Sequence, residues 1–269
     1  MSKLYLDISH HHRVKNWTEL EKSCPFLITK ATEGQTFVDS YFPVVVNECE
    51  KRKIPYFLYT FLRRGNVKKQ INYLVDKVNK VKGSNFIGYC LDIECGNSAE
   101  EVQEAVDYLD EIWTGKKLFY YMYADYGKYK NTIKNLDKRS WCVWEARYGR
   151  NTAKYSKAYP PHEIADFHQY ASGVRISFMT GGIDVNRLTG SKPESWFCTK
   201  KKVKAGYFKK CSKEQTSIIA GLKENGYKSN YNYRSLIAQV NNIKNYAGTA
   251  KQNIKMLDML KAGRLVKPL

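Results

Sequence analysis

An apolar run near the middle of the sequence, FIGYCLDIE (86–94), ends in two acids, Asp92 and Glu94, two residues apart. Residues i and i+2 of a strand share one face, with Cα atoms roughly 6.6 Å apart. Two carboxylates so placed oppose each other's ionisation, so one pKa should rise. That arrangement builds a poor core and a good acid/base pair. Other polar residues lie near the ends of similar runs: Asp7, Glu33, Asp125, Glu145, Gln169 and Asp184. Aromatic residues accompany them, namely Tyr59, Phe61, Tyr121, Tyr123, Trp144, Tyr148 and Tyr170. Acids beside rings suit a carbohydrate, because rings stack on sugar faces while a carboxyl pair handles the glycosidic bond. Glu145 is out of phase with Trp144 and Ala146 and is expected to point away from such a site.

The elements that must position these groups repeat one pattern. Runs at 4–9, 26–34, 54–62, 86–94, 118–125, 141–148, 165–171 and 182–187 read as strands. Helical stretches separate the earlier ones, such as 66–81 and 98–113, the latter opened by Ser98 with Glu101 three residues on. This alternation predicts an α/β chain folded as a β/α barrel, whose chemistry gathers at the C-terminal ends of the strands. The segment is short for such a barrel and its later runs crowd together. The last strands are therefore expected to lack full helices and to pair antiparallel, giving an irregular, TIM-like barrel.

The remainder of the chain has a different composition. Residues 200–269 hold 16 Lys and Arg against 3 Asp and Glu, a net +13 of the chain's +19. The predicted division is a catalytic barrel over 1–195, a basic linker over 196–206 and a helical module over 207–269. Helical patterns in the module cover Gln215–Asn225, Tyr233–Asn242 and Thr249–Ala262, with Gly226, Gly248 and Gly263 as stops. So basic a region implies an anionic partner. Nucleic acid is one class, but no nucleic-acid motif is present; an anionic cell-wall polymer is the other. Seven cysteines without C-x-x-C spacing argue against a disulfide framework or zinc site and for reduced, mostly buried thiols. Consecutive His10, His11 and His12 seldom converge on one ion, so no metal and no cofactor are expected. No run approaches the roughly 20 apolar residues of a membrane span, and MSKLYLDIS lacks a charged-then-apolar leader. Neither membrane anchoring nor a secretory signal is expected.

Seven motifs occur in an order that resembles one family: YLDIS (5–9), KATEG (30–34), YTF (59–61), LDIE (91–94), WEARY (144–148), HQYAS (168–172) and IDVN (183–186). The chain is similar over residues 1 to about 190 to glycoside hydrolase family 25 muramidases, the lysozyme type common among phage endolysins. The resemblance implies an irregular β/α barrel that hydrolyses the β-1,4 bond between N-acetylmuramic acid and N-acetylglucosamine in peptidoglycan. It implies Glu94 as general acid, Asp92 assisting at the anomeric centre, and Asp7 and Asp184 binding and orienting the sugar. Glu33, Tyr59, Phe61, Tyr123, Trp144, Tyr148 and Gln169 are the expected substrate contacts. For Glu33 an internal salt bridge, to Lys30 or Arg147, is an equal alternative. One departure is plain: the family pattern D-x-S-x-x-Q reads DISHHH here, with His12 where glutamine is expected.

Whether configuration is retained, inverted or handled by the substrate's own N-acetyl group stays open at this level. The tail resembles C-terminal modules of clostridial-type amidases and endolysins, which implies wall targeting; self-association into a homo-oligomer is the alternative. A phage endolysin would be held in the host cytoplasm until a holin pore releases it. A chitinase-like glycosidase and a non-catalytic wall-binding protein are the competing functions.

Overall fold

The computed structural model describes residues 3–199 and 206–267. In chain order the elements begin with β1 (Tyr5–Ile8), α1 (Trp17–Ser23), β2 (Leu27–Glu33), β3 (Phe37–Val38), α2 (Phe42–Arg52), β4 (Tyr56–Phe61) and α3 (Val67–Asn79). They continue with β5 (Phe86–Ile93), α4 (Ala99–Ile112), β6 (Lys116–Met122), a 3₁₀ turn at Tyr123–Asp125, α5 (Tyr126–Asn135), β7 (Trp141–Ala146), β8 (Phe167–Val174) and β9 (Ile183–Leu188). After them come α6 (Glu194–Cys198), α7 (Ile218–Glu224), α8 (Tyr231–Val240) and α9 (Ala250–Lys261).

Eight strands close a barrel in the order β1-β9-β8-β7-β6-β5-β4-β2, with β2 returning to β1 and the short β3 added outside β2. Pairing is parallel from β1 through β2 and β4 to β8, and antiparallel on both sides of β9. The expected irregular barrel is therefore present, with no helix between β7 and β8 or between β8 and β9. The antiparallel β9 matters to the site, because its first residues lie where the parallel strands end.

The helices form for local reasons. In α3, Asn66 caps the N-terminus by accepting from the Lys69 N–H at 2.9 Å. Its Val67, Ile71, Leu74 and Val78 repeat at helical spacing and are all buried. In α4, Ser98 and Glu101 bond reciprocally, at 2.9 and 3.1 Å, as the sequence suggested. The β5–β6 contact requires glycine at 88, since a Cβ there would lie 1.9 Å from the Lys116 carbonyl oxygen.

Inside the barrel, Ile28, Phe57, Cys90, Leu118, Cys142 and Phe167 pack below the mouth. The floor is closed by α6, where Phe197 is fully buried and stacks on Phe26 at 4.7 Å between ring centroids. Trp196 stacks on Phe57 at 6.2 Å. Residues 196–198 thus belong to the barrel's floor, where a linker was expected, because two aromatic side chains there bury more than a solvated linker would. Residues 200–205 of that linker lie outside the described residues.

The chain divides into two compact units, with Asp110–Thr114 grouped with the C-terminal segment rather than with the rest of the barrel. In the second unit Ile218, Leu222, Ile237, Met256, Leu257 and Leu260 from α7, α8 and α9 share a core with Phe208 and Leu265. Its two ends are joined by bonds from Phe208 N–H to Leu265 O (2.9 Å) and from Lys267 N–H to Gly206 O (2.8 Å). Helix α8 begins two residues before the expected Tyr233, because Asn230 accepts from the Tyr233 N–H at 2.8 Å. Helix α9 starts at the expected place, on a Thr249–Gln252 capping box.

Phe197→Ala removes the floor's central ring. The expected loss is about 3–5 kcal/mol of stability, the usual cost of a buried Phe→Ala change. Urea unfolding checks it, and a loss below about 1 kcal/mol would show that α6 does not close the barrel.

Candidate active site

Asp7, Tyr59, Asp92, Glu94, Tyr120, Trp144, Gln169 and Asp184 line one cleft at the barrel mouth. Asp7 on β1 stands directly opposite Asp184 on β9. Residues so paired have Cβ atoms about 4.5–5.5 Å apart, close enough for like charges to destabilise each other. Asp92 lies in a row that runs from Phe61 on β4 through Asp92, Tyr120 and Trp144. Glu94 is one residue beyond β5 and exposed, while Asp92 is buried.

A hydrogen-bond network fixes Asp7. Gln169 Nε2 and Asn186 Nδ2 both donate to its Oδ2, at 3.0 and 2.7 Å. Gln169 can do so because its Oε1 accepts from the Tyr120 and Tyr148 hydroxyls, at 2.9 and 2.6 Å. Asn186 is oriented by the Trp144 Nε1–H, which donates to its Oδ1 at 2.8 Å. Asp92 differs, since its buried Oδ1 has no hydrogen-bond partner among the described residues.

Burial dominates the titration of all four acids. Asp7 is pushed well up by desolvation and by the Asp184 charge, against the bonds from Asn186 and Gln169. Asp92 is pushed well up by desolvation and by Glu94, with Lys30 opposing. Glu94 is raised too, although it is solvent-accessible, because the surrounding walls desolvate it and the Asp184 charge adds to the effect; Lys30 again opposes. Asp184 is pushed up to about 6, chiefly by burial. A carboxyl that stays protonated near neutrality can donate a proton to a leaving oxygen.

Of the remaining expected contacts, Tyr148 reaches the cleft's network through Gln169, whereas Glu33, Phe61 and Tyr123 do not line the cleft. Glu33 pairs with Lys30 and Arg63. The Phe61 ring faces the Lys30 ammonium at 4.9 Å and the Arg63 guanidinium at 4.7 Å. Tyr123 sits in the 3₁₀ turn, stacked on His162 at 4.3 Å with Arg147 over its ring. Tyr121 and Glu145 pair across β6 and β7 and bond to each other, and Glu145 also takes His162 Nδ1 at 2.8 Å. Glu145 is thus held outside the barrel as its phase indicated, and Tyr121 shares that side rather than the mouth. Tyr120 and Asn186 are the functional residues missed. The sequence carries no signal that separates Tyr120 from Tyr121, whose facing is set by register against Trp144, whereas Asn186 could have been found because it lies two residues from Asp184 on the same face.

His12 ties two loops together. Its Nδ1 accepts from the Ser9 N–H at 3.1 Å, which leaves Nε2–H to donate to Gly182 O, also at 3.1 Å. Burial lowers its pKa, favouring this neutral form.

The sequence profile of glycosyl hydrolases family 25 matches residues 6–178. The chain belongs to that family and is a glycoside hydrolase with its lysozyme activity. The fold is similar to the catalytic domain of endolysin ply40 from bacteriophage P40 of Listeria monocytogenes, at 24% identity over 71% of this chain and 94% of that one, with a TM-score of 0.61. It is also similar to GHIP, a glycosyl hydrolase 25 of Streptococcus pneumoniae, at 19% identity over 72% and 91%, TM-score 0.63. For the bacterial lysozyme of Streptomyces coelicolor the figures are 19%, 71% and 94%, with a TM-score of 0.56. No curated protein sequence matches the chain.

Asp7→Asn should stabilise the fold while impairing activity. A carboxyl whose folded pKa lies above its unfolded value loses its stabilising contribution as pH rises through the folded value. The gain in Tm should therefore be larger at pH 8 than at pH 4. An equal gain at both would mean that Asp7 carries no such burden.

Proposed function

We propose that the protein is a phage endolysin, a muramidase that cuts the β-1,4 bond between N-acetylmuramic acid and N-acetylglucosamine in the host's peptidoglycan. The observation that carries this reading is the set Asp7, Asp92, Glu94 and Asp184 in one ring-lined cleft of a family 25 barrel. Glu94, raised in pKa and reachable from solvent, suits the general acid that protonates the leaving oxygen. Asp92, whose buried Oδ1 has no hydrogen-bond partner among the described residues, suits assistance at the anomeric centre. Asp7 and Asp184 bind and orient the sugar, Tyr59 offers a ring at the cleft wall, and the buried Trp144 supports the site through Asn186. The phage role is supported by the likeness to an endolysin catalytic domain. It would place the protein in the host cytoplasm until a holin pore releases it.

The C-terminal unit is assigned to anionic wall polymers. Its support is the net +13 over residues 200–269 and a core of its own. Tethering a catalytic domain to its polymer raises its local concentration without any new contact at the active site.

Glu94→Gln is nearly isosteric and cannot donate the proton. The expected loss of hydrolysis is about 10²–10⁴-fold with the fold intact. Muropeptide release measured by mass spectrometry checks both the loss and the bond cut. Activity within twofold of the parent would remove Glu94 from the role.

Residues 206–269 alone, fluorescently tagged, should pellet with Gram-positive walls. If the attraction is Coulombic, binding should weaken as the Debye length falls to about 3 Å at 1 M salt. Absence of pelleting at low salt, together with a dimer or larger species in sedimentation, would replace wall binding by self-association.

A further inference from the structure

Strand β2 carries an irregularity between Lys30 and Thr32, where its register against β4 shifts by one residue. In an unbroken strand, residues three apart point to opposite faces. The extra residue brings Lys30 and Glu33 to one side, and Lys30 Nζ lies 2.5 Å from Glu33 Oε2. The other oxygen of Glu33 takes Arg63 through Nε, at 2.9 Å, and Nη2. Lys30 is buried, while Arg63 is exposed and also reaches Cys95 Sγ at 3.3 Å. Phe61, the register partner of Asp92, holds its ring against both cations.

The acid cluster thus has a buried ammonium beside it that is occupied elsewhere. Asp7 on β1, Asp184 on β9 and Glu33 on β2 are the acids around Asp92 and Glu94; Lys30 is the cation that acts on both, and Arg63 acts on Glu33. The hydroxyls of Tyr59 on β4, Tyr120 on β6 and Tyr148 beyond β7 are all raised by burial and stay neutral. An ammonium in contact with a carboxyl lowers its pKa by about 1–3 units. A general acid paired with Lys30 would therefore be ionised at the pH where it must donate.

We propose that Glu33 is a positioning residue of the hydrolase: it captures the Lys30 ammonium on the β2 side of the mouth and keeps it from closing onto Glu94 and Asp92. Arg63 completes the capture by anchoring the far oxygen of Glu33. The inference rests on Glu94 being the general acid, and it gives Glu33 an electrostatic task in place of a sugar contact.

The test compares Glu33→Gln, Lys30→Met and the double variant in the full chain. The pH profile of kcat/KM is read alongside a direct ¹³C carboxyl titration of Glu94. In Glu33→Gln, Lys30 is released, so the Glu94 titration and the alkaline limb should both move down by about one pH unit or more. The double variant should return both to within about 0.3 unit of the parent, far less than a contact pair's shift. Lys30→Met alone should move them upward, which keeps the test open if Glu33→Gln folds poorly. An unmoved Glu94 titration in folded Glu33→Gln, with KM raised instead, would overturn the proposal and make Glu33 a substrate contact. A titration that shifts while the rate limb stays fixed would uphold the capture of Lys30 and remove Glu94 as the general acid.

Discussion

Four carboxyl groups crowded into a desolvated mouth repel one another, and the rest of the barrel is arranged to hold them there. Their charges would be relieved if the strands parted. The closed ring of strands prevents this, with β9 joined antiparallel to β1 so that Asp184 faces Asp7. Buried like charges are tolerated only where protonation or hydrogen bonding relieves them. Both devices are used. Asp7 accepts two amide N–H bonds on one oxygen, whereas Asp92 has an oxygen with no hydrogen-bond partner among the described residues.

The depth of each acid then sorts its behaviour. Asp7 and Asp92 lie buried and are pushed furthest toward the neutral form; Asp184 is half-buried and Glu94 is open to solvent. A proton is thus retained inside the cluster while the outermost carboxyl remains within reach of a substrate. Tyr120, Tyr148 and Trp144 fix which end of the Gln169 and Asn186 amides faces Asp7, so the charge pattern is set by packing and not by mobile side chains. The floor helix α6 serves the same end from below, since its aromatic pair fills the barrel that the mouth stands on.

Much of this was legible in the residue pattern. The apolar runs ending near Asp7 and Asp92 located strand ends, and the crowding of the later runs anticipated the antiparallel β9. Where the pattern failed, the cause was local geometry. A bulge in β2 puts Lys30 and Glu33 on one side, which simple alternation does not reveal, so the pattern left a sugar contact and a salt bridge as equals for Glu33, and the structure shows the bridge to Lys30. The run LFYYMYAD offered consecutive tyrosines, and only its register against Trp144 shows that Tyr120 faces inward while Tyr121 bonds Glu145 outside. Trp196 and Phe197 adjoin a Lys-rich stretch whose composition hid their role in the barrel floor.

The central claim is that the resting cluster keeps a proton at neutral pH. Infrared difference spectroscopy between the parent protein and Asp92→Asn tests it most directly, because a protonated carboxyl has a C=O band distinct from any carboxylate. The account predicts such absorption at pH 7 in the parent, reduced on substitution of Asp92 and not abolished, because Asp7 is pushed toward the neutral form as well. A parent spectrum at pH 7 showing carboxylate bands alone would contradict it.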